Sequence, residues 1–468
     1  MKKENQQLKK WNMKRFKYKI IFNLTFGIIM LISTNIYPQD TLSLKNAFSI
    51  TLKENIDINI KKNEFNQIKN YEKVGALNLL PRIKIKGSAS GNKGNSSLKF
   101  ATDDFPQIED ANSESKSING NIEFGYNLFN GLGSFYSYQK LKKQSDLKSI
   151  ELLIQIEQIL LKTAKQYYDV AYLQEKNIIL NEILDISKER YNRIKVQNEF
   201  GNSSKLDLLS AEIDLNHDSI TLINSEYEFQ YAKNQLNQTL NRELTTDFNV
   251  VHYVDINTKF IYSDLNKEIL ENNSNILYQK YLLEIAKKDK KINTFSILPK
   301  INIAAQYGYN QTESNTSIIL DQTTLGLMGF VNFSWDIFDA LARRKITQNT
   351  KIQIESNKLE LSAIRQEIQK DFNSSFQQYI NNINLLRIEK RNLLTSEMFF
   401  ESAKEQFYQG QLSRNDFRLA QIELSVSKNR LNQTYYKTKI AELNLYRLSG
   451  NIIKQTSMDY YHQLNKDF

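Results

Sequence analysis

The chain has 468 residues, a formal net charge of +10, no Cys, three His and four Pro. Without Cys there is no disulfide framework, thiolate metal site or N-terminal lipid anchor. His217, His252 and His462 stand apart, with no acidic companions at ligand spacing, no nucleophile constellation and no Gly-rich phosphate loop, so neither an enzyme nor a cofactor is expected. The positive excess sits at the start: residues 1–39 hold eight Lys or Arg and one Glu, leaving the rest near +3, which removes the main support for a nucleic-acid partner.

That start reads as a secretory signal peptide, residues 1–39. A basic stretch precedes the mostly apolar run Ile20 to Ile32, which falls short of the ~20 apolar residues a spanning helix needs. Met13, followed by Lys14-Arg15-Phe16-Lys17, offers a second start. A helix pair is expected from Leu42 to Leu79, and Leu79-Leu80-Pro81 then leads into a strand from Arg82 to Gly91. A polar loop, Asn92 to Lys116, precedes a second strand in which Ile118, Ile122, Phe124, Tyr126 and Leu128 alternate with Asn119, Asn121, Glu123, Gly125 and Asn127. One face suits lipid and the other water, as in outer-membrane barrel strands.

Between Gly133 and Gly201 there is no Gly or Pro. Leu153, Ile156, Leu160, Ala164, Tyr167 and Ala171 recur at helical spacing, so a helix of roughly 65 residues, on the order of 100 Å, is expected. Gly201-Asn202-Ser203 ends it, and a returning helix carries Asp207, expected one to two turns in, with a stripe of Leu206, Leu209, Ile213, Ile220, Ile223 and Tyr227. Charged residues on these helices read as exposed faces with i,i+4 pairs such as Glu189 with Arg193. A mixed segment follows, Arg242 to Tyr262.

The rest repeats the first half. Leu79-Leu80-Pro81-Arg82-Ile83 returns as Ile297-Leu298-Pro299-Lys300-Ile301, and Phe124-Gly125-Tyr126-Asn127-Leu128-Phe129-Asn130 as Phe333-Ser334-Trp335-Asp336-Ile337-Phe338-Asp339. Phe124 to Phe333 and Gly201 to Gly410 both step by about 209 residues, so residues 40–262 and 263–468 read as two copies of one unit, the second ending in a tail. The second unit has strands at Ile301 to Asn310 and Leu325 to Ile337, a polar loop at Gln311 to Thr323, and a stretch free of Gly and Pro from Phe330 to Gln409. Its turn is Gly410-Gln411-Leu412-Ser413, with Arg414 and Asp416 just beyond.

Four strands per chain cannot close a barrel, and a lipid-exposed sheet edge is not tolerated, so other copies must pair the edges. Two copies would give eight strands filled by their own side chains, whereas three give twelve and a water-filled lumen. The expected architecture is a mixed α+β membrane protein, internally duplicated: a trimeric 12-stranded β-barrel, four strands per chain, joined to very long α-helices.

The order of elements resembles the TolC-like outer-membrane efflux protein family over nearly the whole chain after the leader, Thr41 to about Asn451. Matching features are Leu42-Ser43-Leu44-Lys45-Asn46-Ala47 with Leu52 and Asn55, the Leu-Pro before each first strand, and Gly201 with Asp207 and Gly410 with Asp416 at the two turns. The resemblance implies a homotrimer in outer membrane lipid, the β-barrel continued by a long α-helical coiled-coil barrel that forms a tunnel in the periplasm, and the partners of a tripartite efflux system: a periplasmic adaptor protein and an inner-membrane pump of RND or ABC type. It implies adaptor contact at the tip residues Gly201, Asn202, Ser203, Gly410, Gln411, Leu412 and Ser413; turn chemistry alone also selects these residues. It further implies an entrance at Asp207 and Asp416, where three copies of Asp416 form a negative ring that favours cations; a solvated helix-face aspartate is the plainer alternative. Where relatives place a second acidic residue this chain has Leu419, and where they latch the entrance with Tyr and Arg it has Phe407 and Leu412, which leaves Arg414 as the substitute partner. Two other functions fit the same sequence: the outer-membrane exit duct of a type I protein secretion system, and a periplasmic or surface coiled-coil structural protein.

Overall fold

The computed structural model describes residues 41–77, 79–99, 101–102, 107–251, 255–317 and 319–456. The expected signal peptide lies outside them. Four elements come first: β1 (Thr41–Leu42), α1 (Leu44–Glu54), α2 (Ile56–Leu77) and the long strand β2 (Arg82–Leu98). They are followed by β3 (Ile108–Asn130), α3 (Gly133–Glu199), α4 (Lys205–Thr239) and β4 (Asn249–Val250). The same order returns in α5 (Tyr262–Asn272), α6 (Ser274–Phe295), β5 (Lys300–Ser314), β6 (Asp321–Ser334), α7 (Ala342–Tyr408) and α8 (Arg414–Leu448), with α9 (Ile452–Thr456) closing the described chain. Both α3 and α7 have 67 residues, and both α4 and α8 have 35.

Each long helix needs a partner along its whole length, and two shorter helices laid end to end supply it. In the first half, α2 and α4 both pack on α3; in the second, α6 and α8 both pack on α7. An asparagine joins each pair. Asn55 accepts the Ile58 amide at the start of α2 and donates its side-chain amide to Thr239 O at the end of α4 (2.8 Å). Asn273 accepts the amides of Asn275 and Ile276 and donates to Leu448 O (2.9 Å). Each side chain thus satisfies orphan groups of two helices at once, where a gap would leave buried carbonyls and amides unpaired.

The expected α3 seam is buried: Ile156, Leu160, Ala164, Tyr167 and Ala171 pack with Phe48, Leu236, Leu240, Phe248 and Val250. The mixed segment closes this core, β4 pairing in parallel with β1 while the Tyr167 hydroxyl donates to Leu42 O (3.0 Å). Glu157 is buried in the same stretch of α3 and accepts a hydrogen bond from Ser274 Oγ (2.9 Å). Burial pushes its carboxyl up to about 8, against the pull of Ser274 and the Arg447 cation. Below the ordinary carboxylate range both folded and unfolded chains hold this proton. Between there and about pH 8 only the folded chain keeps it, so stability falls as pH rises, by up to about 1.4 kcal/mol per pH unit. Glu157→Gln should therefore melt like the parent at pH 5 and several degrees higher at pH 8; lower melting at pH 8 would mean an ionised Glu157 paired with Arg447.

The strands form one four-stranded antiparallel sheet in the order β2-β3-β5-β6. They are longer than the alternation alone indicates. The segment read as a loop, Asn92 to Lys116, is mostly paired strand, because β2 runs to Leu98 and β3 begins at Ile108. Likewise β5 and β6 extend through Ser314 and from Asp321, leaving only residues 315–320 between them. At the other end the apolar alternation outruns the strand: β6 stops at Ser334, and the Trp335 indole donates to Ile297 O (3.0 Å). The second long helix begins only at Ala342, well after the Gly-free stretch opens at Phe330.

Register aligns the apolar positions across all four strands. Ile85, Ile122, Tyr307 and Leu327 stand in one row, and Tyr126, Ile303 and Val331 in another. In the single chain Ile85, Ile122, Tyr307, Leu327 and Val331 are exposed, Ile85 at 81% and Leu327 at 77%, and Tyr126 and Ile303 are half-buried. The opposite face carries Lys84, Glu123, Gln306, Asn121 and Asn119, with Asn121 donating to Gln306 (3.3 Å). The apolar rows run from Ile301 to Tyr309, about the 9–11 residues a tilted membrane strand needs. Among the described residues no helix is long and apolar enough to cross a membrane.

Candidate functional site: the helical tip

Both helical hairpins turn in the same way. Gly201 and Gly410 adopt φ of +75° and +77°, the left-handed conformation that only glycine takes at no cost. In the first, Asn202 N–H donates to Gln197 O (2.7 Å) and Gly201 N–H to Asn198 O (3.0 Å); in the second, Gln411 N–H donates to Gln406 O (2.9 Å) and Gly410 N–H to Phe407 O (3.1 Å). This double bond pattern satisfies the last carbonyls of each long helix and reverses the chain within four residues.

The aspartates expected one to two turns into the returning helices lie in the first turn instead. Ser204 caps α4: its hydroxyl accepts Asp207 N–H (3.1 Å) while the Asp207 carboxylate accepts Ser204 N–H (3.0 Å). Asp207 also takes the Ser203 hydroxyl (3.2 Å) and pairs with Arg414 from the other hairpin. The Ser204 amide, then the Ser204 hydroxyl and the Arg414 charge, hold its carboxyl below the usual range. Ser413 caps α8 in the same way, accepting Asp416 N–H (3.2 Å) and donating to the Asp416 carboxylate (2.7 Å). Asp207 and Arg414 are thus brought together, whereas Asp416 is exposed and engaged with its own cap.

Glu189 and Arg193 do not form the expected i,i+4 pair; both grip Tyr408 at the end of the second hairpin. The Tyr408 hydroxyl donates to Glu189 (2.6 Å), Arg193 donates to Tyr408 O (2.8 Å), and its guanidinium lies 4.7 Å over the tyrosine ring. Burial, with the Glu189 charge adding to it, pushes the Tyr408 hydroxyl up to about 12, so it stays a donor at every physiological pH. Phe407 stacks on Phe417 (4.6 Å, 6°) in an apolar cluster with Phe400, Ala403, Ala420 and Leu424, with the Arg193 guanidinium 5.9 Å from its ring.

Deeper in lies a polar cluster that the sequence reading missed. Arg418 of α8 donates both guanidinium nitrogens to Asp218 of α4, each at 2.7 Å, in a fork geometry. Asp218 also takes the Ser187 hydroxyl of α3 (2.5 Å), and Gln421 donates to Ser187 (2.8 Å) and to Ile183 O (3.0 Å). Arg190 pairs with Asp214 (2.6 Å) alongside. Asp218, Ser187, Arg190 and Gln421 are all buried. Burial lowers the Arg190 pKa against the pull of Asp214. Further along, Lys428 reaches Glu182 (2.6 Å) and Asn432 reaches Tyr172 O (3.1 Å). Residues 414, 418, 421, 428 and 432 lie on one side of α8, so this side carries a ladder that ties the second hairpin to the first. The spacing of Asp214 with Asp218, and of Arg414 with Arg418, was the available signal: charges four apart can interrupt an otherwise apolar seam.

The fold and this tip define an outer-membrane channel of the efflux type. The sequence model of the outer membrane efflux protein family matches residues 51–242 and 265–451, and the chain belongs to that family, whose members are channels and not enzymes. No curated protein matches the sequence. Among solved structures, the outer-membrane channel OprN shares 16% identity and a TM-score of 0.71, over 87% of this chain and 90% of that one. The Campylobacter jejuni CmeC outer membrane channel shares 15% and 0.69, over 90% and 89%. The open state of the Neisseria gonorrhoeae MtrE outer membrane channel shares 13% and 0.64, over 87% and 89%.

Proposed function

We propose that three copies of this chain close a twelve-stranded barrel and form the outer-membrane duct of a tripartite efflux system. The observation that carries this reading is the sheet: one face is apolar over the rows from Ile301 to Tyr309, the other is polar apart from Met328 and Phe330, and the outer edges of β2 and β6 have no partner among the described residues. In lipid such edges require other copies. The helices support the same assembly. The expected α4 stripe is not buried within the chain: Leu206, Ile213, Ile220, Ile223 and Tyr227 are 57% to 76% exposed. On the second hairpin, Ile352, Leu359, Ile388, Leu394 and Met398 of α7 are exposed as well. Two unlike apolar faces on one chain suit a head-to-tail ring, each copy's first hairpin meeting the next copy's second. Matching element lengths support reading residues 40–262 and 263–468 as two copies of one unit.

The tip takes the remaining roles. Gly201, Asn202, Ser203, Gly410, Gln411, Leu412 and Ser413 form the surface offered to a periplasmic adaptor, itself coupled to an inner-membrane pump. Asp207, Arg414 and Asp416 stand at the entrance. The ladder on α8 holds the entrance narrow without sealing it, and full opening is a two-state separation of the hairpins biased by adaptor docking. The chain makes and breaks no bonds; the pump supplies the energy. Purified protein should give discrete single-channel conductance in planar bilayers, and a protein that never conducts would end the duct reading.

A further inference from the structure

The polar face of the sheet is not evenly charged. Its three rows nearest the helices, after the asparagine row of Asn127 and Asn302, carry Arg82, Lys84 and Lys86 from β2, and the one carboxylate in those rows is Glu123, which pairs with Lys86 (2.8 Å). Lys300 lies on the same face nearer the helices. The other members of the rows are neutral, and in the Lys86 row they include Gly308 and Gly326, which leave bare backbone beside the ammonium. Lys86 is 58% exposed despite its ion pair. A hollow of about 410 Å³ on this face is bordered by Arg82, Lys84, Glu123, Asn127, Asn302 and Gln306. The apolar rows on the opposite face must meet lipid, so these cations meet the lumen.

We propose that the barrel carries a cationic collar at its helix-side end that binds and passes anionic solutes, those bearing carboxylate or phosphate groups. This rests on the trimeric duct reading. With three copies the collar holds nine cations against three carboxylates within three rows of one another. Rings of Lys and Arg lined by low-dielectric walls concentrate anions and repel cations. Lys and Arg are also the side chains that hydrogen-bond carboxylate and phosphate oxygens through charge-assisted contacts. The collar lies at the far end of the molecule from Asp416, so the barrel and the tip select charge separately.

Single channels in planar bilayers test this, with a multivalent probe applied from the barrel side. Inositol hexakisphosphate should block the unaltered channel, and hexaamminecobalt(III) should not. Lys84→Gln with Lys86→Gln should weaken the phosphate block on the order of tenfold or more, about 1.4 kcal/mol at the least. Equal block of parent and variant, or block of the unaltered channel by the cobalt cation alone, overturns the collar while leaving the duct intact. Absence of any conductance in the unaltered protein removes the duct itself and the collar with it.

Discussion

Arg418→Ala should loosen the closed tip more than any other single change. It leaves the Asp218 carboxylate buried beside Ser187 and Gln421 with its bidentate partner gone. Removing one member of a buried ion pair costs about 3–5 kcal/mol, because the surviving charge has lost both water and partner. The loss falls on the contact between the second hairpin and the first, where Arg418 is the deeper of the rungs that join α8 to α4. If closure is a two-state balance of a few kcal/mol, this is enough to invert it. The time-averaged conductance should rise by about tenfold or more, since 1.4 kcal/mol already shifts a population by that factor. Arg418→Ala with Asp218→Ala should cost less than Arg418→Ala alone, the signature of a coupled pair in a double-mutant cycle. The more exposed Arg414–Asp207 pair should matter little, as surface pairs are worth at most about 1 kcal/mol. Unchanged conductance in Arg418→Ala would place the closing contact elsewhere.

The second large effect is on assembly. Ile213→Glu with Ile220→Glu puts two carboxylates into the α4 stripe, which is 68% and 57% exposed at these positions in the single chain. If the stripe is covered by a neighbouring copy, each substitution loses roughly 1.5–3 kcal/mol of apolar burial and adds the cost of an unpaired buried charge. The loss recurs at every interface of a ring. Sedimentation in detergent should therefore show single chains. Helix content should persist, because α3 keeps its own seam of Ile156, Leu160, Ala164 and Tyr167 inside the chain. A trimer that survives both substitutions would mean that the stripe faces water or lipid.

These two sites mark where sequence reasoning succeeds and where it stops. The α3 seam and the α4 stripe have the same helical periodicity, yet one is buried within the chain and the other is not. Periodicity reports an apolar face and carries no information on which chain covers it. The turn glycines were legible because a left-handed residue after a long helix is a local requirement that Gly201 and Gly410 meet. The Arg418 cluster was not, because every exposed helix face is rich in Lys, Glu and Asp, and only the docking of the two hairpins selects Asp218 and Ser187 as partners. The Glu189–Arg193 pair fails for the same reason: Tyr408, remote in sequence, competes for both.

The strands fail in another way. Alternation marks only the part of a strand that has lipid on one side. Beyond it, Lys93, Asn95, Asn112 and Glu114 stand on the face that is apolar nearer the helices and Asn92, Gly94, Ser113 and Ser115 on the other, so the pattern vanishes while the backbone ladder continues. Trp335 shows the converse, an apolar residue in phase with the strand but past its last pairing, tied to Ile297 by its indole N–H. In both places the hydrogen-bond ladder, which side-chain patterning does not encode, sets the boundary.

The central claim is that four strands per chain become one closed barrel only when several copies share it. Native mass spectrometry of the protein extracted from outer membranes in detergent counts those copies directly. Three is the predicted number, giving twelve strands with β2 of each copy paired to β6 of the next. A single chain, or a protein that leaves the membrane fraction without detergent, would contradict the account.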